Sequence, residues 1–205
     1  VFEPYSGAVL SDSSRKNSEV DPVHQGIDLP KGYSGKSVFM GFIDTGVDLY
    51  HEDFLDSAGR TRIVALWDQR MASSPNTPSF GYGQAFDSSA INRKLTNHSD
   101  PNNAYGHGTG VVGIGAGDGS SVPDSIARYH GYAPNSVIGV VASDFNRSNW
   151  TSSVADGVEF LFAAADSLNL PCVVNLSLGT YMGSHDGMDI AARRIDSLVN
   201  AKAGR

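Results

Sequence analysis

Two residues in this sequence are of the types and in the setting to do acid–base chemistry together. Asp44 ends the apolar run SVFMGFID, and His107 stands in Tyr-Gly-His-Gly-Thr-Gly, residues 105–110. A carboxylate at the C-terminal end of a buried strand lies where open α/β sheets gather their functional groups. From there it can accept the Nδ1 proton of an imidazole, fix the tautomer and stabilise the imidazolium formed in a reaction. The imidazole is then free to act as general base and acid. Singly, a strand-end Asp before Thr-Gly reads equally well as a turn residue, and a loop His beside Gly as a structural one. A competing reading overlaps the same stretch: residues 108–113, GTGVVG, match the G-x-G-x-x-G phosphate loop of dinucleotide-binding domains. That loop needs a strand before it, and the preceding TNHSDPNNAYGH is polar. It also needs an acidic residue ending a second strand about 20 positions on, and Asp124 in SSVPDSIAR does not supply one. The phosphate-loop reading is set aside on both counts.

The elements that would position this pair can be read from the pattern of apolar residues. SVFMGFID (37–44), RIVALWDQ (62–69), SVIGVVAS (136–143) and CVVNLSLG (172–179) are continuous apolar runs, as expected of strands buried on both faces. The segment 151–168 carries Val154, Val158, Leu161, Phe162, Ala165 and Leu168 at helical spacing. A second helix is expected over 186–205, with Met188, Ala191, Ala192, Ile195, Leu198 and Val199 as its stripe and Gly204 as its stop. A third should start near His107. A glycine inside a helix costs about 1 kcal/mol relative to Ala, so the small residues at 110, 113, 115, 116 and 117 call for close packing. Strands alternating with helices predict an α/β domain with a mostly parallel sheet. Residues 70–105 read as long polar loops with a short helix near SSAINRKL, and 1–36 as an irregular N-terminal arm. The sequence stops just after a helix, where a further strand is expected to begin.

Bulk composition narrows the function classes. With 205 residues, 40% of them hydrophobic, the chain can form one domain with a substantial core. Its 15 Lys+Arg against 22 Asp+Glu give a formal charge of -7, which argues against a nucleic-acid-binding surface. No apolar run approaches the roughly 18 residues a membrane span needs. The lone Cys172 can form no disulfide within the chain and reads as a small buried hydrophobe. Val1 is neither an initiator Met nor the start of a signal sequence, which suggests a processed or shortened chain.

Taken together, four motifs in order resemble the subtilisin-like serine proteases. GFIDTGVDLYHEDF (41–54) is similar to their aspartate motif and YGHGTGVVGIGAG (105–117) to their histidine motif. HGYAPNSVIGVV (130–141) resembles their Gly-x-Ala-Pro turn and strand, and VVNLSLG (173–179) the segment lining their substrate cleft. The resemblance implies a three-layer α/β fold, with a mostly parallel sheet flanked by helices, and secretion or an envelope location. It implies that Asp44 orients His107, the general base. Ser177, Leu178 and Gly179 would form one wall of the specificity pocket, and Arg147, Ser148 and Asn149 the opposing edge. An extended peptide or protein substrate would pair between them. Asp53 matches a calcium ligand of the family, so a structural calcium is implied, although Glu52 stands where the family has Pro. No cofactor is needed for the catalysis itself. Gly110 replaces a frequent but non-catalytic histidine.

The family's nucleophile is not in this sequence. Its Gly-Thr-Ser-Met-Ala-x-Pro string has as nearest counterpart Gly179-Thr180-Tyr181-Met182-Gly183, without the serine, and its oxyanion asparagine strand is also missing. The chain is therefore expected to be the N-terminal portion of the peptidase domain, truncated before those elements, inactive alone and partnered by the rest of the same domain. Arg205 as last residue would suit a tryptic cut. Two alternatives remain: a pseudoprotease of the same fold that binds without cleaving, and an aspartic protease, whose apolar-apolar-Asp-Thr-Gly signature Phe42–Gly46 also matches. The latter needs an all-β fold and a second such aspartate, and no second Asp-Thr/Ser-Gly occurs.

Overall fold

The computed structural model describes residues 11–101, 105–122 and 129–205, so Asp124 and most of SSVPDSIAR lie outside the described residues. Five strands form one sheet: β1 (Phe39–Asp44), β2 (Ile63–Asp68), β3 (Gln84–Asp87), β4 (Val137–Ala142) and β5 (Cys172–Leu176). Their order is β3-β2-β4-β1-β5, parallel throughout except for the antiparallel edge strand β3. The parallel strands end together at Asp68, Ala142, Asp44 and Leu176, which makes one sheet edge the assembly point for the loops that follow.

The helices among the described residues include α1 (Ser11–Asn17), α2 (Val20–Gln25), α3 (Ser88–Asn92), α4 (His107–Ala116), α5 (Trp150–Ser167) and α6 (Ile190–Asn200), with a short 3-10 turn at Glu52–Phe54. Helices α3 and α4 cover one face of the sheet and α5 and α6 the other, giving three layers. Phe42, Leu66, Val112, Ala116, Ile138 and Val140 are buried on the α4 face, and Phe39, Ile43, Trp67, Val141, Leu161 and Phe162 on the α5 face. The period-2 alternation of β1 sorts these: Phe39 and Ile43 point to α5, Phe42 to α4. Asp44 shares the parity of Phe42 and so faces the helix that His107 begins.

Glycines let α4 approach the sheet, at fewer positions than expected. A β-carbon on Gly115 would lie 2.6 Å from Phe42 Cζ, and one on Gly108 would lie 2.1 Å from the Gly46 carbonyl oxygen. No described residue comes within 4 Å of a β-carbon placed on Gly110 or Gly113, so packing among the described residues accounts for only part of this glycine-rich helix.

Three other expectations are corrected. From residue 11 on, the arm is not irregular: it contains α1 and α2 and is tied down, with Arg15 buried, paired to Asp21 at 3.1 Å and donating to the His130 carbonyl, and His24 Nε2 2.8 Å from the Tyr132 carbonyl. The 70–105 stretch supplies strand β3 as well as the expected short helix, because Leu66 and Phe86 pair across β2 and β3 and bury together. The last helix starts at Ile190, capped by the Asp189 carboxylate on the Ala192 amide at 3.0 Å, so Met188 is outside it and exposed. It ends at Asn200, and Gly204, with φ 87°, turns the chain so that its carbonyl accepts the Cys172 amide at 2.8 Å. Cys172 is buried, and burial pushes its thiol up to about 12, which leaves it a packing residue.

Candidate active site

The two chemistry-bearing residues meet. His107 Nδ1 lies 2.6 Å from Asp44 Oδ1, 63 residues away in sequence. The same oxygen accepts the Thr45 amide at 2.7 Å, while Oδ2 is buried without a partner among the described residues. The Asp44 side chain is 2% exposed and that of His107 51%. One carboxylate at the base of the cleft therefore holds one face of an imidazole whose other nitrogen is turned outward. With Nδ1–H donated to the carboxylate, Nε2 carries the lone pair.

The geometry follows from the ends of two elements. Asp44 is the last residue of β1 and His107 the first of α4, preceded by Tyr105 and Gly106 with φ 54° and 66°. Such left-handed backbone costs little for Gly and more for a tyrosine, and it turns the chain sharply into the helix. Gly106 occupies the N-cap position and has no side chain with which to satisfy the first helical amides. Those amides are served from elsewhere: Gly108 N–H donates to Thr45 Oγ1 at 2.9 Å and Thr109 N–H to Asp100 Oδ2 at 2.8 Å. Thr45 Oγ1 in turn donates to Asp100 Oδ1 at 2.7 Å.

The polar stretch before His107 contributes a second histidine–carboxylate pair that sequence reading missed. His98 Nδ1 is 2.7 Å from Asp68 Oδ2, both side chains buried, and Val47 N–H donates to His98 Nε2 at 3.2 Å. Arg70 holds the same carboxylate through Nε and Nη2 at 2.9 and 2.7 Å, and also donates to the Ser99 carbonyl at 2.9 Å. Burial works to raise the Asp68 pKa, yet the hydrogen bonds from Arg70 and His98 and the charge of Arg70 outweigh it and hold the group down at about 2. The one signal available in the sequence was that Asp68, like Asp44, closes an apolar strand.

The remaining expected site residues fall as follows. The β1–β5 register pairs Ile43 with Leu176, so Ser177 leaves the sheet edge beside Asp44, and Leu178 and Gly179 continue from it as irregular chain. Arg147, Ser148 and Asn149 do not form the extended edge expected of them. Turns closed by Arg147 N–H on the Asp144 carbonyl and Trp150 N–H on the Arg147 carbonyl occupy them, and the Arg147 guanidinium lies 3.7 Å over the Tyr82 ring. Asp53 lies apart from this cluster, its Oδ1 accepting the Ser121 amide at 2.8 Å. The Arg62 guanidinium donates to the backbone carbonyls of Asp53, Ala116, Pro134 and Ser136 at 2.5–3.2 Å. No group of three or more His, Cys, Asp or Glu side chains that could hold a metal occurs among the described residues, nor does any helix there have the length and apolarity to cross a membrane.

Comparison with known proteins bears on this arrangement. The chain is 33% identical over 155 residues to the subtilisin-like protease PopC of Myxococcus xanthus, covering 73% of this chain and 26% of that protein. The structure of the Clostridium perfringens CspB protease superposes with a TM-score of 0.70 at 29% identity, over 91% of this chain and 37% of that one. The chain thus spans well under half the length of either relative. A strand-end aspartate and a helix-initial histidine joined in one cleft, on a mostly parallel three-layer sheet, agree with the match of residues 35–204 to the Subtilase family of peptidases, and the chain belongs to that family.

Proposed function

We propose that this chain carries the aspartate and histidine of a serine endopeptidase of the subtilisin type. The single observation behind this reading is the 2.6 Å contact of His107 Nδ1 with the buried Asp44, with the rest of the ring open to solvent. Asp44 keeps the imidazole in the Nδ1–H tautomer and offsets the charge it gains. His107 Nε2 takes the proton of a serine hydroxyl as that oxygen attacks the scissile carbonyl, then delivers it to the leaving amine. The serine and the oxyanion asparagine lie outside these 205 residues, so the chain by itself does not catalyse the reaction and works with the remainder of its own peptidase domain. A protein lacking the nucleophile loses this chemistry almost wholly, since the triad acts as a unit.

In this reading an extended peptide runs past Ser177, Leu178 and Gly179, pairing main chain to main chain. Ser148 and Asn149 form the opposite rim as a turn rather than a strand. Catalysis uses no cofactor. Action outside the cytoplasm is proposed on family grounds.

A fluorophosphonate probe applied to the complete protein tests the assignment. Labelling of a single serine, lost on Ser→Ala at that position and strongly slowed by His107→Ala, is the expected result. A well-folded complete protein that takes up no label would instead be a pseudoprotease.

A further inference from the structure

We propose that Asp100 is a positioning residue for the Asp44–His107 pair, setting the separation between the turn after β1 and the start of α4. The kinetic consequence rests on the protease reading above; the geometric one does not. Asp100 belongs to neither element, yet its carboxylate bonds to both. Oδ1 accepts Thr45 Oγ1, adjacent to Asp44, at 2.7 Å, and Oδ2 accepts the amide and hydroxyl of Thr109, two residues past His107, at 2.8 and 2.7 Å. Thr109 Oγ1 then accepts the Asp48 amide at 2.8 Å, and Thr45 Oγ1 the Gly108 amide at 2.9 Å. Each of these hydrogen bonds on Asp100 involves a charged acceptor, and such bonds are roughly twice as strong as neutral ones.

Three observations make this more than a helix cap. The α4 N-cap is a glycine with nothing to offer its own amides, so the helix start takes its position from whatever caps it across the fold. The parts are also in close contact: a β-carbon on Gly46 would lie 3.0 Å from the Ser99 carbonyl oxygen and 3.1 Å from His98 Cε1. Finally, Asp100 is itself anchored. His98 is fixed between Asp68 and the Val47 amide, and Arg70 grips the Ser99 carbonyl. The end of β2 thereby fixes a segment that joins the end of β1 to the start of α4. A misplacement of about 1 Å in a catalytic group can cost about a hundredfold in rate, and this link is what opposes it.

The test uses the complete protease with Asp100→Ala, Thr45→Val and the double variant. We expect kcat to fall about ten- to a hundredfold with KM within about twofold. The double variant should lose less than the product of the two single losses, because both remove the shared Thr45–Asp100 bond. A readout independent of activity is the downfield proton on His107 Nδ1, assigned by its absence in His107→Ala. It should broaden or vanish in Asp100→Ala. Asp100→Asn, which keeps one acceptor, should fall between wild type and Ala in both readouts and replaces Ala if that variant does not fold. An unchanged Nδ1 proton, kcat within twofold, or a loss confined to stability overturns the proposal. Should the folded wild-type protein hydrolyse no peptide, the protease reading fails and the proton resonance alone decides on Asp100.

Discussion

Two histidine–aspartate pairs of nearly the same length occur among the described residues, 2.6 Å at His107–Asp44 and 2.7 Å at His98–Asp68. In both, Nδ1 meets the carboxylate of a residue that closes a parallel strand. They differ in what happens to the other nitrogen. The His98 side chain is fully buried and its Nε2 is spent on the Val47 amide, so the ring is a neutral crosslink with no free lone pair. His107 stands half exposed with Nε2 uncommitted among the described residues. A carboxylate beside an imidazole is therefore not evidence of catalysis by itself. The free and accessible nitrogen separates the chemical pair from the architectural one.

The sharpest way to break this comparison is His107→Ala in the complete protease. Peptide hydrolysis should fall on the order of a million-fold, a magnitude carried over from subtilisin itself, while circular dichroism shows an unchanged fold. Residual activity of more than a few per cent would place His107 on the architectural side. Next in size is Gly108→Ala, whose β-carbon would meet the Gly46 backbone at 2.1 Å. The two loops must separate, so kcat should drop by about a hundredfold and stability by about 1–3 kcal/mol; retained kcat would show that the loops need not touch.

His98→Ala should act the other way round. It leaves a buried amide and part of a buried carboxylate unpaired, which costs about 2–4 kcal/mol in urea unfolding. His98→Gln, with a donor and an acceptor on one side chain, should recover part of that loss. A variant as stable as wild type would deny the crosslink its role. The smallest effect concerns pH. The folded pKa of Asp68, about 2, lies below its ordinary 3.8, so its contribution is present above about pH 4 and lost as pH falls toward 2. That contribution is about 2 kcal/mol. Asp68→Asn should flatten the decline in stability between pH 4 and pH 2, and an identical acid limb in both proteins would remove Asp68 as its source.

Much of this was legible in the sequence, and the misses have a common cause. The strands β1, β2 and β4 were visible as apolar runs because they are buried on both faces and need no polar alternation. Strand β5 was visible as a run as well, although at the edge of the sheet it leaves Val173 and Leu176 exposed. Helix α5 was visible because one face packs on the sheet, burying Val154, Val158, Leu161, Phe162 and Ala165. Strand β3 was not, since QAFD is a short edge strand with one fully useful apolar residue, Phe86, and its formation depends on the β2 edge it joins. The start of α6 was misplaced because an exposed Met188 is indistinguishable in sequence from a packed one. The edge at Arg147–Asn149 was misread because its turns depend on Asp144 and Tyr82, which the local pattern does not reveal.

The sequence by itself determined the strands β1, β2, β4 and β5 and the long helix α5, the parity that sets Asp44 on one face of its strand, and the placement of His107 at the head of a glycine-rich helix. Local periodicity and residue type suffice for that, because each is a property of neighbours in the chain. Only the tertiary structure decided that His107 reaches Asp44 while His98 reaches Asp68, that Asp100 joins the two loops, and that Arg62 donates to the carbonyls of Asp53, Ala116, Pro134 and Ser136. Those contacts span from 9 to 74 residues of sequence. They depend on where the sheet edge brings the strand ends, and in particular on which hydrogen-bonding groups the glycine N-cap leaves for distant residues to satisfy.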